Sequence, residues 1–346
     1  SLRILQPRLT MYLDVLPLQN NTLRLCRVYG EEPCIALPAV LPGEDGTALP
    51  ITELGDYCFS EKPRSLPAPE QLVRYAIRAD GCAEPVSEKT DLHPVCGNFV
   101  EEVTLPETLQ VVGSCAFYNC RKLRRLSVGS GELVVGSDVF LNCFALDTIV
   151  VRAVPDAPTG LFALVNSITE AVEALFQPAD ADAPLAGLWY PAYWEDYEET
   201  PAHILLHTFS GQGYHYRQCF LDQKFLPAEY DAIFPQGHDA DDVNIMAMLC
   251  FDRLRWPWQL REAAKAAYRE FAAAHTGRIL TRLLKAQDLE GIQALLALDL
   301  MTPDAFAEGA ALAAKADNAA AAALLADAEY RKRAATPRKK RYDFDF

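Results

Sequence analysis

The sequence predicts a mixed α+β, multi-domain protein: a short parallel β-solenoid with an N-terminal β-hairpin cap, a β-rich middle module and a C-terminal α-helical repeat stack. Three observations predict it. Val112-Gly113, Phe117, Asn119-Cys120, Leu123, Leu126 and Val128 recur 23 residues on as Val135-Gly136, Phe140, Asn142-Cys143, Leu146, Ile149 and Val151. From Pro155 to Pro235 that period is lost and short aromatic, strand-like runs replace it. After Asp239 the chain turns Ala- and Leu-rich, with apolar residues at helical spacing.

Apolar residues returning at a fixed short period mark one structural unit stacked on copies of itself. Weaker copies flank the clear pair. Val100, Val103 and Leu105 stand 23 residues before Leu123, Leu126 and Val128, and Ile51 to Phe59 repeats the Gly-x-x-x-Phe half. A Pro-rich segment of about 39 residues, Ser60 to Asn98, interrupts the array, with Glu70 to Arg78 reading as a short helix. Within a unit, Leu-x-x-Leu-x-Val puts Leu126 and Val128 on one strand face. The spacing therefore predicts internal columns of Val100, Leu123, Leu146 and of Val103, Leu126, Ile149. Glu102, Arg125 and Thr148, with Thr104, Ser127 and Val150, fall on the outward face, Glu102 and Arg125 paired across neighbouring strands. A unit of this size cannot bury its apolar face alone, so stacking is obligatory.

The stretches ETLQVVGSCAFYNCRKLRRLSV and GELVVGSDVFLNCFALDTIVV resemble BspA-type bacterial leucine-rich repeats. Gly113, Ala116, Phe117, Cys120, Leu123, Leu126 and Val128 match that pattern, and Pro106 sits at the closing Pro. Val139 replaces Ala in the second unit, and Arg152-Ala153 stands where Gly or Pro is usual, which suggests that the array ends near Ala153. TLRLCRVYGEEPCIALPAV, followed by LPITELGDYCF, is similar to the β-hairpin that caps such arrays. The resemblance covers about residues 20–153 and implies a short leucine-rich repeat solenoid acting as an interaction scaffold.

In the middle module, Val172–Gln177, Gly187–Tyr190 and His203–Phe209 read as strands, and Gly211-Gln-Gly213 as a turn into an extended Tyr214–Phe220. Its aromatics serve either as core or as an exposed binding face. Beyond it, helices are predicted over Val243–Arg255, from Pro257 to about His275, and over Gly277–Ala286, Leu289–Leu298, Pro303–Ala316 and Ala319–Arg333. Gln287-Asp288 and Ala294 to Ala297 recur 29 residues on as Ala316-Asp317 and Ala323 to Ala326, an ankyrin-like or α-hairpin stack without ankyrin's Thr-Pro-Leu-His start. The expected divisions are a cap (1–50), the array (51–153, with the 60–98 insertion), the middle module (154–238), the helical module (239–333) and a basic, disordered tail (334–346).

Net charge is −15, which argues against nucleic acid or anionic lipid as the partner of the bulk surface. The last 17 residues run the other way, with seven Lys or Arg against two Asp. No apolar run reaches membrane-spanning length. The chain opens on Ser1 rather than Met, leaving room for an upstream segment. Ten cysteines suit five disulfides outside the cell, yet Cys120 and Cys143 hold one repeat position and no C-x-x-C occurs, so reduced, buried thiols are expected.

Residues that might carry chemistry are few. His203 and His207 lie four apart, before His215 and Cys219, but on a strand they stand too far apart to share an ion. Trp194-Glu-Asp-Tyr-Glu-Glu199 groups four carboxylates without EF-hand spacing and reads as a solvated loop. There is no Gly-rich phosphate loop and no nucleophile elbow. The leading reading is a non-enzymatic protein–protein interaction scaffold, with no cofactor, no metal, an unknown protein partner and a cytoplasmic setting. Two others stay open: an enzyme with its site in residues 155–239, and a secreted or surface adhesin.

Overall fold

The computed structural model describes residues 9–87, 92–199, 201, 205–238 and 241–335. An antiparallel hairpin comes first, β1 (Leu9–Pro17) against β2 (Leu23–Gly30), turning through a left-handed Asn21 (φ 57°). β3 (Cys34–Ala36), β4 (Val40–Pro42) and β5 (Ala48–Leu54) follow, and β5 lies parallel to β2. The helix expected at Glu70–Arg78 is absent. A 3-10 turn at Pro69–Gln71 leads instead into β6 (Val73–Arg78), which pairs antiparallel with β1 and then with β7 (Ala83–Pro85). The open edge of the hairpin supplies ladder bonds to a Val/Tyr/Ile run, and that outweighs local helix preference. Arg74 fixes the register with two bonds to the buried Asp14 carboxylate, at 2.7 and 2.9 Å. Most of the insertion is thus part of the cap.

Next come β8 (Glu102–Thr104), β9 (Val111–Val112), β10 (Arg125–Val128), β11 (Val134–Val135) and β12 (Thr148–Val151). β3, β8, β10 and β12 pair in parallel, aligning Ile35, Val103, Leu126 and Ile149 in one buried column. β5, β9 and β11 form a second parallel wall, aligning Leu54, Val112 and Val135. Val100, Leu123 and Leu146 are buried as well.

Between the walls each unit repeats the same contacts. Phe59, Phe117 and Phe140 stack at 4.9 and 5.7 Å between ring centres. Cys120 and Cys143 donate their thiols to the carbonyls of Phe59 and Phe117, one turn back, at 3.2 and 3.0 Å. The Asn142 amide donates to Asn119 at 2.7 Å, and both asparagines are left-handed, as are Tyr57, Cys115 and Asp138 one corner earlier. Gly113 and Gly136 are required because the turns nearly touch: a Cβ at either would lie 2.6 Å from the backbone nitrogen of Asp56 or Ser114.

The array does not end near Ala153. After α1 (Leu161–Val165), β13 (Val172–Phe176) adds in parallel to β12, aligning Ala174 with Ile149, and β14 (Ala186–Tyr190) closes that edge antiparallel. Leu161, Leu164, Val165 and Ile168 take up interior volume, so the repeat's geometry outlasts its motif. Beyond it, β15 (Trp194–Glu199) and β16 (Leu205–Ser210) form a hairpin where an acidic loop was expected. A short helix, α2 (Gly213–Tyr216), replaces the start of the extended run expected from Tyr214. β17 (Phe220–Leu221), β18 (Lys224–Phe225) and α3 (Pro227–Ile233) complete this part.

Arg217 holds that end together. It is fully buried and donates to the carbonyls of Val165, Ile168, Glu170, Pro191 and Gly213 at 2.5–3.0 Å, drawing the α1 loop, β14 and α2 to one point. Burial pulls its guanidinium down to about 10, against the attraction of the neighbouring tyrosines. Gly213 is obligatory beside it, since a Cβ there would meet the Pro191 oxygen at 2.1 Å.

The chain divides into two compact units, Ser1–Asp241 and Asp242–Phe346. The second contains α4 (Val243–Arg255), α5 (Glu262–Ala274), α6 (Thr276–Lys285), α7 (Leu289–Ala297), α8 (Pro303–Lys315) and α9 (Ala319–Ala335). α5 starts five residues after Pro257 rather than at it, because Trp256 is pushed out of the helical region and Gln259 is left-handed (φ 48°). The helical repeat has a 30-residue register, not 29. Buried Ile279, Leu283 and Leu295 are answered 30 residues on by Gly309, Ala313 and Leu325, and the caps Asp288 and Asn318 agree. The letter match over Ala-Leu-Leu-Ala is one residue out because it ignored which Leu is buried. The tail from residue 336 lies outside the described residues.

Truncating the column at Leu126→Ala should cost ~2–5 kcal/mol in a urea titration. Arg217→Leu strips donors from several buried carbonyls, each worth ~1–3 kcal/mol, and should lower the urea midpoint at least as far. A midpoint for either variant equal to the parent's would refute its assigned role.

Candidate interaction surface

The expected outward rows exist in the predicted register: Glu102 beside Arg125 beside Thr148, and Thr104 beside Ser127 beside Val150. Their exposure is uneven. Glu102, Thr104, Arg125 and Ser127 are half-buried, whereas Thr148 and Val150 are only 9% and 6% exposed. β13 extends the sheet past them, and its Leu175, aligned with Val150, is buried too, so that row turns apolar and closed from β12 onward. The available surface is therefore β8 and β10.

Charge placement differs as well. Glu102 pairs with Arg124 at 2.6 Å, not with Arg125, and Arg124 also lies 3.8 Å from Glu101. Such exposed pairs contribute only a fraction of a kcal/mol. Their importance lies in the local field: Arg121, Lys122 and Arg124 are exposed along one turn of a chain whose net charge is −15.

A brace that sequence reading missed frames one end of this face. Arg152 donates to the Ser127 hydroxyl and the Leu105 carbonyl at 2.8 Å, and to Glu107 at 3.2 Å. Glu107 also accepts from the Ser130 backbone N–H at 2.7 Å. Partial burial opposes ionisation of Glu107, but bonds from Ser130 and the Arg152 guanidinium win and hold its carboxyl below the usual range. Arg152 was visible only as a departure from Gly or Pro; its reach back over two turns needed the stack.

The other candidates do not converge. His203 lies outside the described residues. His207 meets Glu195 at 3.2 Å, His215 sits on α2, and burial pushes the Cys219 thiol up to about 12. Among the described residues no group of three or more His, Cys, Asp or Glu is placed to hold a metal ion. A cleft of about 370 Å³ opens between Arg24, Glu53, Asp56, Leu66 and Val111 and reaches Cys26. Burial raises that thiol to about 11, and Arg24 is engaged by Glu53 at 2.6 Å, so the cleft presents no activated nucleophile.

Residues 96–172 match the family described as "BspA type Leucine rich repeat region (6 copies)", and the chain carries such a repeat region there. The match runs past Ala153 and stops at Val172, where β13 begins. Among solved structures, a leucine rich cell surface protein from Faecalibacterium prausnitzii A2-165 is 18% identical, with a TM-score of 0.27, over 42% of this chain and 30% of that one. The match thus spans less than a third of that chain. No curated protein matches this one. No helix among the described residues is long and apolar enough to cross a membrane.

The thiols give a direct check on the interior. Cys34 and Cys82 are exposed, whereas burial raises Cys58, Cys120, Cys143 and Cys250 far above the ordinary thiol range. In the native protein at pH 8, Cys34 and Cys82 should label first with a thiol reagent, and those four only on unfolding. Rapid native labelling of Cys120 or Cys143 would mean that the repeat interior is open.

Proposed function

We propose that this chain is a non-enzymatic protein–protein interaction scaffold of the leucine-rich repeat type, which takes its partner on the exposed strip of β8 and β10. One observation carries the reading: parallel pairing sets Glu102 beside Arg125 and Thr104 beside Ser127 on a rigid wall, with Arg121, Lys122 and Arg124 along its border. Strand spacing of ~4.8 Å gives such a wall fixed rows of alternating chemistry, suited to a flat or extended protein surface. The basic border favours a partner that presents carboxylates. The cytoplasmic setting belongs to the same proposal, because the thiols of Cys120 and Cys143 serve as hydrogen-bond donors inside the array. Ten thiols titrating in denaturant without reductant support it; two or more disulfides would favour the adhesin.

The face itself is tested by charge. Glu102→Lys combined with Arg124→Glu and Arg125→Glu should leave the circular dichroism spectrum and urea midpoint nearly unchanged, since each surface pair is worth ~0–1 kcal/mol. The same variant should lose a partner captured by cross-linking in the source cell. Unchanged capture would remove this face from consideration.

A further inference from the structure

Two strands of the first unit stand apart from every other sheet. Among the described residues β15 and β16 pair only with each other, from Trp194 opposite Ser210 to Glu199 opposite Leu205, and all six residues of β15 are exposed. A lone two-stranded ribbon is marginal in water. This one is anchored by a run of ring contacts: Phe209 stacks on Tyr214 at 3.8 Å, His207 lies tilted 4.5 Å from Phe209, and Tyr197 stacks on His207 at 4.3 Å. The ribbon is therefore built and held out, yet Trp194 and Tyr197 stay 63% and 59% exposed.

By strand alternation Glu195 and Glu199 share the face of Tyr197 and Asp196 and Glu198 the face of Trp194, and neither strand carries a Lys or Arg. Glu195 accepts from the Tyr197 hydroxyl at 2.9 Å and meets His207 at 3.2 Å, while Asp196 accepts from the Ser210 hydroxyl at 3.2 Å.

We propose that the β15–β16 ribbon is a docking arm for an extended, basic polypeptide segment of a partner protein. Charge complementarity selects this occupant. A Lys or Arg over the face of Trp194 or Tyr197 gains a cation–π contact while its head meets a flanking carboxylate. The open strand edge offers backbone groups to an extended chain. Nucleic acid and anionic lipid are repelled by the same carboxylates. This surface is distinct from the β8–β10 strip, and its test is separate.

The test is fluorescence anisotropy of a labelled peptide of alternating Arg and Ser against the full chain at near-physiological salt. Trp194→Ala with Tyr197→Ala, which leaves the charge unchanged, should weaken binding about tenfold. Glu195→Gln, Asp196→Asn and Glu198→Gln together should do at least as much, whereas Trp194→Phe with Tyr197→Phe should retain most of the affinity. Glu31→Gln, Glu32→Gln and Glu70→Gln remove equal charge elsewhere and should change it less than about twofold. Parent-like binding by the alanine pair, or equal losses from the two charge sets, would mean that overall acidity alone binds the peptide and would overturn the proposal. If the alanine pair weakens binding but the phenylalanine pair weakens it equally, ribbon disruption is the cause and the proposal also falls.

Discussion

Everything in the first unit depends on how closely successive turns approach. Parallel ladders in both walls bring the backbone of one turn onto the next, so closely that Gly113 and Gly136 admit no side chain. Once that spacing is imposed, every feature of a turn must have a partner at the same place in its neighbours. Hence the stacked phenylalanines, the thiols donating to carbonyls one turn back, and the asparagines bonded to each other. A side chain that breaks the pattern disturbs two neighbours, which is why the period is legible at all.

A stack so constrained still needs two ends. At the first, β1 and β2 take β6 from the insertion as a third strand, fixed by the buried-side pairing of Asp14 with Arg74. At the other, β13 continues the parallel wall without the motif and β14 reverses direction. Arg217 then gathers the loose carbonyls of that reversal. A buried cation answered by carbonyl dipoles and tyrosine faces, with its own proton affinity lowered, shows how strongly the end must be tied.

Surface chemistry is what remains after these demands are met. β8 and β10 keep a partly exposed strip because their outward residues are short or charged, while β12 turns both rows into buried surface. The β15–β16 ribbon escapes the stack altogether, and there the rings that would elsewhere be core stand among carboxylates. At the separate cleft near Cys26, burial raises the thiol and Arg24 is engaged by Glu53.

The sequence by itself determined the columns. Val103, Leu126 and Ile149 align because a period of 23 leaves only one way to bury three strands, and the helices α4 and α8 could be placed because their apolar residues recur at helical spacing. Tertiary structure decided the rest, wherever one segment depended on a distant one. β6 is a strand because the β1 edge was open. Glu102 finds Arg124 rather than Arg125 through side-chain reach, not strand register. Thr148 and Val150 are covered because β13 extends the sheet. Leu295 answers Leu325, not Leu324, because burial rather than letter identity sets the helical register. Periodicity encodes what a chain does to its own copies; pairing with a unique neighbour leaves no period to read.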